Sequence, residues 1–284
     1  METPGLILSR GIAYLALLLV AGLPILALSN GLPGELSSRQ RRALALLALV
    51  AAGASIWWAL ESVAAMAGMT LATLDQETFT VVLAATPLGA VMEWRLTALF
   101  AVLLAMVVPL RALRVPVATL AGGVALGSMA WTGHAGASEV PLHRWADVVH
   151  LVAAATWIGA LAAFVTRAFT RETRAQVEAL AKFARTGTAI VALLLLTGMV
   201  NTLAIAGWPV PLSSRWTMLL ALKLGLFAAM LGLAASNRWR IVPALERGEV
   251  GAVGRLRRSM VMELAAGLGV VAIVSLLGVL DPAA

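Results

Sequence analysis

Eight apolar stretches, each about as long as a bilayer is thick, occupy most of the 284-residue chain. A membrane span takes about 20 mostly apolar residues at about 1.5 Å rise each. Gly11–Ser29, Ala43–Ala67, Leu88–Leu110, Val115–Gly133, Trp145–Phe164, Gly187–Gly207, Trp216–Ser236 and Met260–Leu280 qualify. Lipid offers backbone amides no partner, so such segments must satisfy their own hydrogen bonds as helices. The expected fold is all-α, a polytopic bundle of eight transmembrane helices. A hydrophobic content of 61% and a mean hydropathy of +0.93 agree with it.

The net charge of +7 resembles a nucleic-acid footprint until the charges are placed. Sixteen of the 21 Lys and Arg fall after the first, third, fifth and seventh spans, in runs such as Arg39, Arg41, Arg42 and Arg255, Arg257, Arg258. Arg10, Arg144 and Arg215 remain on the other side, and Arg95 and Lys223 inside spans. By the positive-inside rule the basic loops are cytoplasmic and both termini lie outside. The charge is thus a topology signal and a contact with anionic lipid, and nucleic-acid binding is excluded by its distribution. Trp131, Trp145, Trp208 and Trp216 fall at the outer boundary, where amphipathic rings prefer to sit. The first stretch lacks a small-residue cleavage site and reads as a retained span. A bacterial inner membrane, with periplasm outside, fits.

Two connections invite local structure. Leu71–Pro87 is an outer segment whose Phe79–Ala85 is apolar enough to lie in the interface, and Thr166–Thr186, with Glu172, Arg174 and Glu178, fits a short surface helix. Thr86 followed by Arg95, and Ser214 followed by Lys223, place a hydroxyl at a boundary and a cation nine residues later. A parallel four-plus-four repeat would leave such a pair.

Ionisable side chains inside spans are functional candidates, because each is expensive unless paired or hydrated. Glu61, Glu93, Arg95, Asp147, His150, Lys223 and Glu263 meet that test. Glu93 and Arg95 point to different faces. Glu263 reads as structural and Asn201 as interhelical glue. Glu61, Arg95, Asp147 and Lys223 are expected to form one polar pathway in the interior.

All three histidines lie close together: His134 ends the fourth span, His143 precedes the fifth, and His150 lies inside it. Asp147 and His150 share a helix face, so the carboxylate is expected to orient the imidazole. Met66 and Met69, at the outer end of the second span, are soft thioethers compatible with copper(I); Met129 and Met199 are further candidates. The chain has no cysteine, which removes disulfides and thiolate ligands. Spacing alone leaves metal ligation, a haem site with His134 and His150 as axial ligands, and a merely structural pair of histidines all open.

Gly133-His134-Ala135, then Asp147-Val148-Val149-His150 running on to Trp157-Ile158-Gly159, resembles the hallmark of the CopD copper-resistance family. Thr197-Gly198 with Asn201, Leu222-Lys223-Leu224, Ser236-Asn237-Arg238 with Pro243, Glu263 with Pro282, and Thr86-Pro87 with Arg95 carry it further. The resemblance spans nearly the whole chain and implies one transmembrane domain over 1–284, with 1–133 holding the first four spans and 134–284 the CopD-like last four. It implies copper binding and transport at the inner membrane rather than enzymatic activity. His134 and His150 match as metal residues, with His143 and Met69 less directly placed. It also implies a separate periplasmic copper chaperone of the CopC type as partner. The rival expectation is a membrane b-type cytochrome carrying haem b.

Overall fold

The computed structural model describes residues 3–29, 36–109, 111–169, 173–211 and 213–282, leaving out the side chains of residues 168, 173–182 and 184–185. Among the described residues the chain is helical and contains no strand. Helix α1 spans Pro4–Ser29, α2 Ser38–Met66, α3 Gln76–Ala85, α4 Pro87–Val107 and α5 Arg111–Gly127, which continues as a 3-10 turn to Trp131. Then follow α6 Gly133–Ala137, α7 Pro141–Ala168, α8 Thr173–Ala206 and α9 Arg215–Ser236. A π-helical turn Asn237–Ile241 leads to α10 Val242–Glu246, and α11 covers Ala252–Leu277. Among the described residues eight helical segments, with α9, the π turn and α10 counted as one, are long and apolar enough to cross a membrane.

Local chemistry sets the boundaries. Ser37 and Gln40 close a capping box on α2, and Asp75 caps α3 through the Thr78 N–H at 2.8 Å, which draws its carboxyl below the usual range. Proline opens α4 and α7, where its missing N–H costs nothing. Pro141 starts α7 four residues ahead of the expected Trp145. The short surface helix expected within Thr166–Thr186 is instead continuous with the sixth span as the start of α8; Glu172, Arg174 and Glu178 lie outside the described residues or side chains.

The bundle has two ends. One, here the terminal face, gathers the start of α1, α6 and Gly278; the other, the basic face, holds the ends of α1, α4, α7 and α10. Two of its arginines are structural: Arg41 Nε donates to Met106 O at 2.9 Å and Arg114 Nε to Ala105 O at 3.1 Å, satisfying carbonyls at the end of α4.

Helix α1 is central, packing against α2, α5, α7 and α11. Against α7 it meets glycine on glycine: a Cβ on Gly159 would lie 2.5 Å from the carbonyl carbon of Gly22. Elsewhere α8 packs on α7 and α9 on α11, with no extensive packing of α8 on α9 among the described residues. A cleft therefore runs between these two consecutive helices. The expected repeat is not shown: Ser214 accepts the Thr217 N–H at 3.2 Å, whereas Thr86 caps nothing with its side chain.

Candidate metal-binding cavity

The terminal half of the cleft is a cavity of about 460 Å³ walled by α1, α7, α8, α9 and α11. His134, His143 and His150 all line it, together with Asp147, Asn201, Lys223 and Arg10. Position follows from the local fold. Gly133 takes a positive φ of 70°, which turns the chain out of the span into α6, and a Cβ there would sit 3.1 Å from Arg10 Nη2. His143, expected before the fifth helix, lies in its first turns and is 2% exposed.

Hydrogen bonds fix two of the three imidazoles. Thr197 Oγ1 donates its proton to Leu193 O, so at 2.9 Å from His150 Nδ1 it accepts the ring N–H. His150 is thus held with its Nε2 lone pair uncommitted. A carbonyl only accepts, so His134 donates Nε2–H to Leu277 O at 3.3 Å, which leaves its Nδ1 lone pair uncommitted. Neither ring nitrogen of His143 has a partner among the described residues, although both are buried.

The expected orienting role of Asp147 goes to Thr197: Asp147 Oδ1 accepts from Asn201 Nδ2 at 3.0 Å instead. The four residues expected to share one polar pathway fall in two separate places. Asp147 and Lys223 line the cavity, while Glu61 and Arg95 do not. Glu61 accepts from Thr3 Oγ1 and Trp57 Nε1, each at 3.1 Å. Arg95, 0% exposed, donates to Ser128 Oγ at 2.8 Å and lies over the Trp58 ring at 5.2 Å. Both cations face the interior, but among the described residues neither forms an ion pair. Glu93 is exposed.

Met66 and Met69 are not in the cavity wall, because α2 packs on α1, α3 and α4, away from α7 to α11. Met66 is 53% exposed, and Met129 is buried in the core around α1. The thioethers that do line the cavity are Met199 and Met230. Trp216, expected in the interfacial belt, is buried with its indole N–H unpartnered and faces the cavity.

Sequence reasoning gave Arg10 and Asn201 no place in the cavity and did not pair Thr197 with His150. Arg10 read as a flanking charge, yet α1 begins at Pro4 and carries it inside, where Nη1 donates to Gly278 O at 3.2 Å. Arg10 Nε, both His143 nitrogens, Asn201 Oδ1 and Trp216 Nε1 are five buried polar atoms without partners among the described residues, and all four residues line this cavity. Each such atom costs about 1–3 kcal/mol unless a guest or water satisfies it. Among the described residues no three of His, Cys, Asp and Glu are clustered tightly enough to hold one metal ion between them. The donors are spread along the wall.

Fold and cavity together define a polytopic helical membrane protein with a histidine-lined chamber in one half of its thickness. Residues 1–144 match the family described as copper resistance protein D-like, N-terminal domain, and residues 177–277 match copper resistance protein D. The chain belongs to the copper resistance protein D family. It is 41% identical over 191 residues to copper resistance protein D of Pseudomonas syringae pv. tomato, covering 60% of this chain and 62% of that one. It is 32% identical over 160 residues to the inner membrane protein YebZ of Escherichia coli K12, covering 54% and 55%. The matched part is thus less than two thirds of either relative's length. No solved structure matches the chain.

Proposed function

We propose that the chain binds copper in the histidine cavity and passes it across a bacterial inner membrane, acting as a transporter rather than an enzyme. The observation that carries this reading is the set of three imidazoles on one cavity wall, two with a lone pair left uncommitted by their hydrogen bonds and one with both nitrogens unpartnered. Imidazole with the Met199 thioether suits copper, and donors strung along a wall suit a cargo handed between stations. Lys223 and Asp147, unpaired with each other, add two ionisable groups to the same cavity wall. The names of the two relatives support both the metal and the membrane. Because α1 packs against both α2 and α7, we take residues 1–284 to work as one unit. A separate periplasmic CopC-type chaperone would deliver copper to the terminal face.

Purified protein in liposomes enclosing a copper(I) indicator tests this. Uptake above that of empty vesicles is expected, with copper bound to the protein by elemental analysis. Absence of both bound copper and flux in either direction overturns the reading. A haem absorption band in the same sample would assign His134 and His150 to a cytochrome instead.

The orientation has its own test, made simple by the lack of native cysteine. Glu139→Cys on the terminal face should react with an impermeant maleimide in intact spheroplasts. Val250→Cys on the basic face should react only after permeabilisation. The opposite pattern would put the histidines on the cytoplasmic side.

A further inference from the structure

The cleft does not stop at the histidines. Toward the basic face it opens again into a second chamber of about 530 Å³, walled by α7, α8, the π-helical turn and α11. Trp157 lines both chambers and so marks the boundary between them. Its ring meets Phe227 edge-on at 6.3 Å, and its indole N–H donates to Glu263 Oε1 at 3.1 Å. Asn237, placed by the π-helical turn, donates Nδ2–H to Glu263 Oε2 at 3.3 Å.

Glu263 is 3% exposed, and among the described residues no ion pair involves it. Arg238 lines the same chamber, and its Nη1 donates to Thr188 Oγ1 at 3.5 Å. Of the other charged groups on elements packed against α11, Arg10, His143, Asp147, His150 and Lys223 line the terminal chamber, Arg144 donates to carbonyls of Ala135, Gly136 and Ser138, Arg167 is half-buried at the last turn of α7, and Arg215, Arg240 and Glu246 are exposed. Among the described residues this carboxylate has two neutral donors and no ion-pair partner, and such a group is expensive as an anion.

A second observation bears on the same atoms. Asn237 is 7% exposed, and its Oδ1 is buried without a partner. With its N–H turned to Glu263, the amide suits an ionised carboxylate. Turned over, it offers Oδ1, which the O–H of a neutral carboxyl satisfies. Trp157 donates to the remaining oxygen in either case. The three side chains thus accommodate both protonation states, and the orphaned acceptor belongs to the second.

We propose that Glu263 is a proton-binding site of the inner chamber, with Trp157 linking its occupancy to the histidine chamber. The proton is taken from water entering at the basic face, forms one O–H bond at Oε2, and returns to water when that bond breaks; no electron moves. Carboxylate and amide oxygens are hard donors, suited to a proton and poorly matched to copper(I). The link to transport rests on the copper reading above; the site itself does not.

Infrared difference spectroscopy of the full chain in lipid tests it. Acidification should raise a protonated-carboxyl C=O band in the wild type. Glu263→Gln should delete that band while keeping wild-type copper content, and Glu263→Asp, which keeps a carboxyl, should move it. Asp147→Asn and Glu61→Gln, which remove the carboxyls of the terminal chamber and of the α1–α2 contact, should leave it in place. The part of the tryptophan fluorescence that Trp157→Phe removes should depend on pH in the wild type and lose that dependence in Glu263→Gln. A band and a fluorescence response unchanged by Glu263→Gln overturn the proposal, whatever copper does. If no copper binds yet the band is lost in Glu263→Gln, the copper reading fails and the proton site stands.

Discussion

Copper retained by the purified protein is expected to fall by more than about 100-fold when His150 becomes alanine, because loss of a ligand exceeds the roughly 10–100-fold typical of its supporting groups. Thr197→Val should cost about 10–100-fold, since it removes the acceptor that keeps the proton on Nδ1 and leaves Nε2 uncommitted. His143→Ala should rival His150→Ala. The family resemblance placed His143 less directly than the other two, but its ring is buried with both nitrogens unpartnered among the described residues, and an apolar replacement would remove that penalty along with the ligand. His134 has one nitrogen engaged by Leu277 O, so its replacement should give the smaller loss. Equilibrium dialysis against a copper(I) chelator, with elution profile as a check on folding, gives all four values. Wild-type retention in both His143→Ala and His150→Ala would remove the histidines from the site.

The spans were legible because hydropathy and length are properties of contiguous sequence, and a helix in lipid satisfies its own backbone. Their ends were less so. Charged residues do not stop a helix, so α8 runs through a basic connection, while Pro141 extends α7 far enough to bring His143 inside it. The histidine cluster was visible because its members are neighbours in sequence. Their partners were not: Thr197 and Asn201 come from the next helix, one span away, and only the packing of α8 on α7 brings them into reach. Met66 and Met69 show the converse. Their chemistry fitted the histidines, but α1 separates α2 from α7 to α11, and no periodicity in the sequence encodes which helix occupies the middle. Arg10 had the look of a topology charge for the same reason. Its distance from the chain start says little, whereas its burial against Gly278 depends on α11 returning to the same face.

The largest stability effect is expected where that middle helix meets α7. In lipid, helices associate through close packing rather than hydrophobic expulsion from water, so small residues that let backbones touch have outsized influence. Gly22 and Gly159 make such a contact: a Cβ on Gly159 would fall 2.5 Å from Gly22 C, and one on Gly22 would fall 2.0 Å from Ala155 O. Backbone atoms cannot swing aside as a side chain can, so Gly159→Ala must part the two axes by about 1 Å or distort one of them. Overpacking of this kind costs about 1–3 kcal/mol, and here it strikes the helix on which α2, α5, α7 and α11 all pack. A lower unfolding midpoint in detergent and a reduced folded yield should follow. Gly123 on α5 is the matched control, since a Cβ there meets nothing within 4 Å and alanine is the better helix former by about 1 kcal/mol. Gly123→Ala should therefore leave the midpoint unchanged or raise it. Its neighbour Gly122, whose Cβ would lie 2.9 Å from Val20 O, should behave like Gly159. Equal midpoints for Gly122→Ala, Gly123→Ala and Gly159→Ala would mean that α1 is not held by backbone contact, and the position of Arg10 beside the histidine chamber would then need another cause.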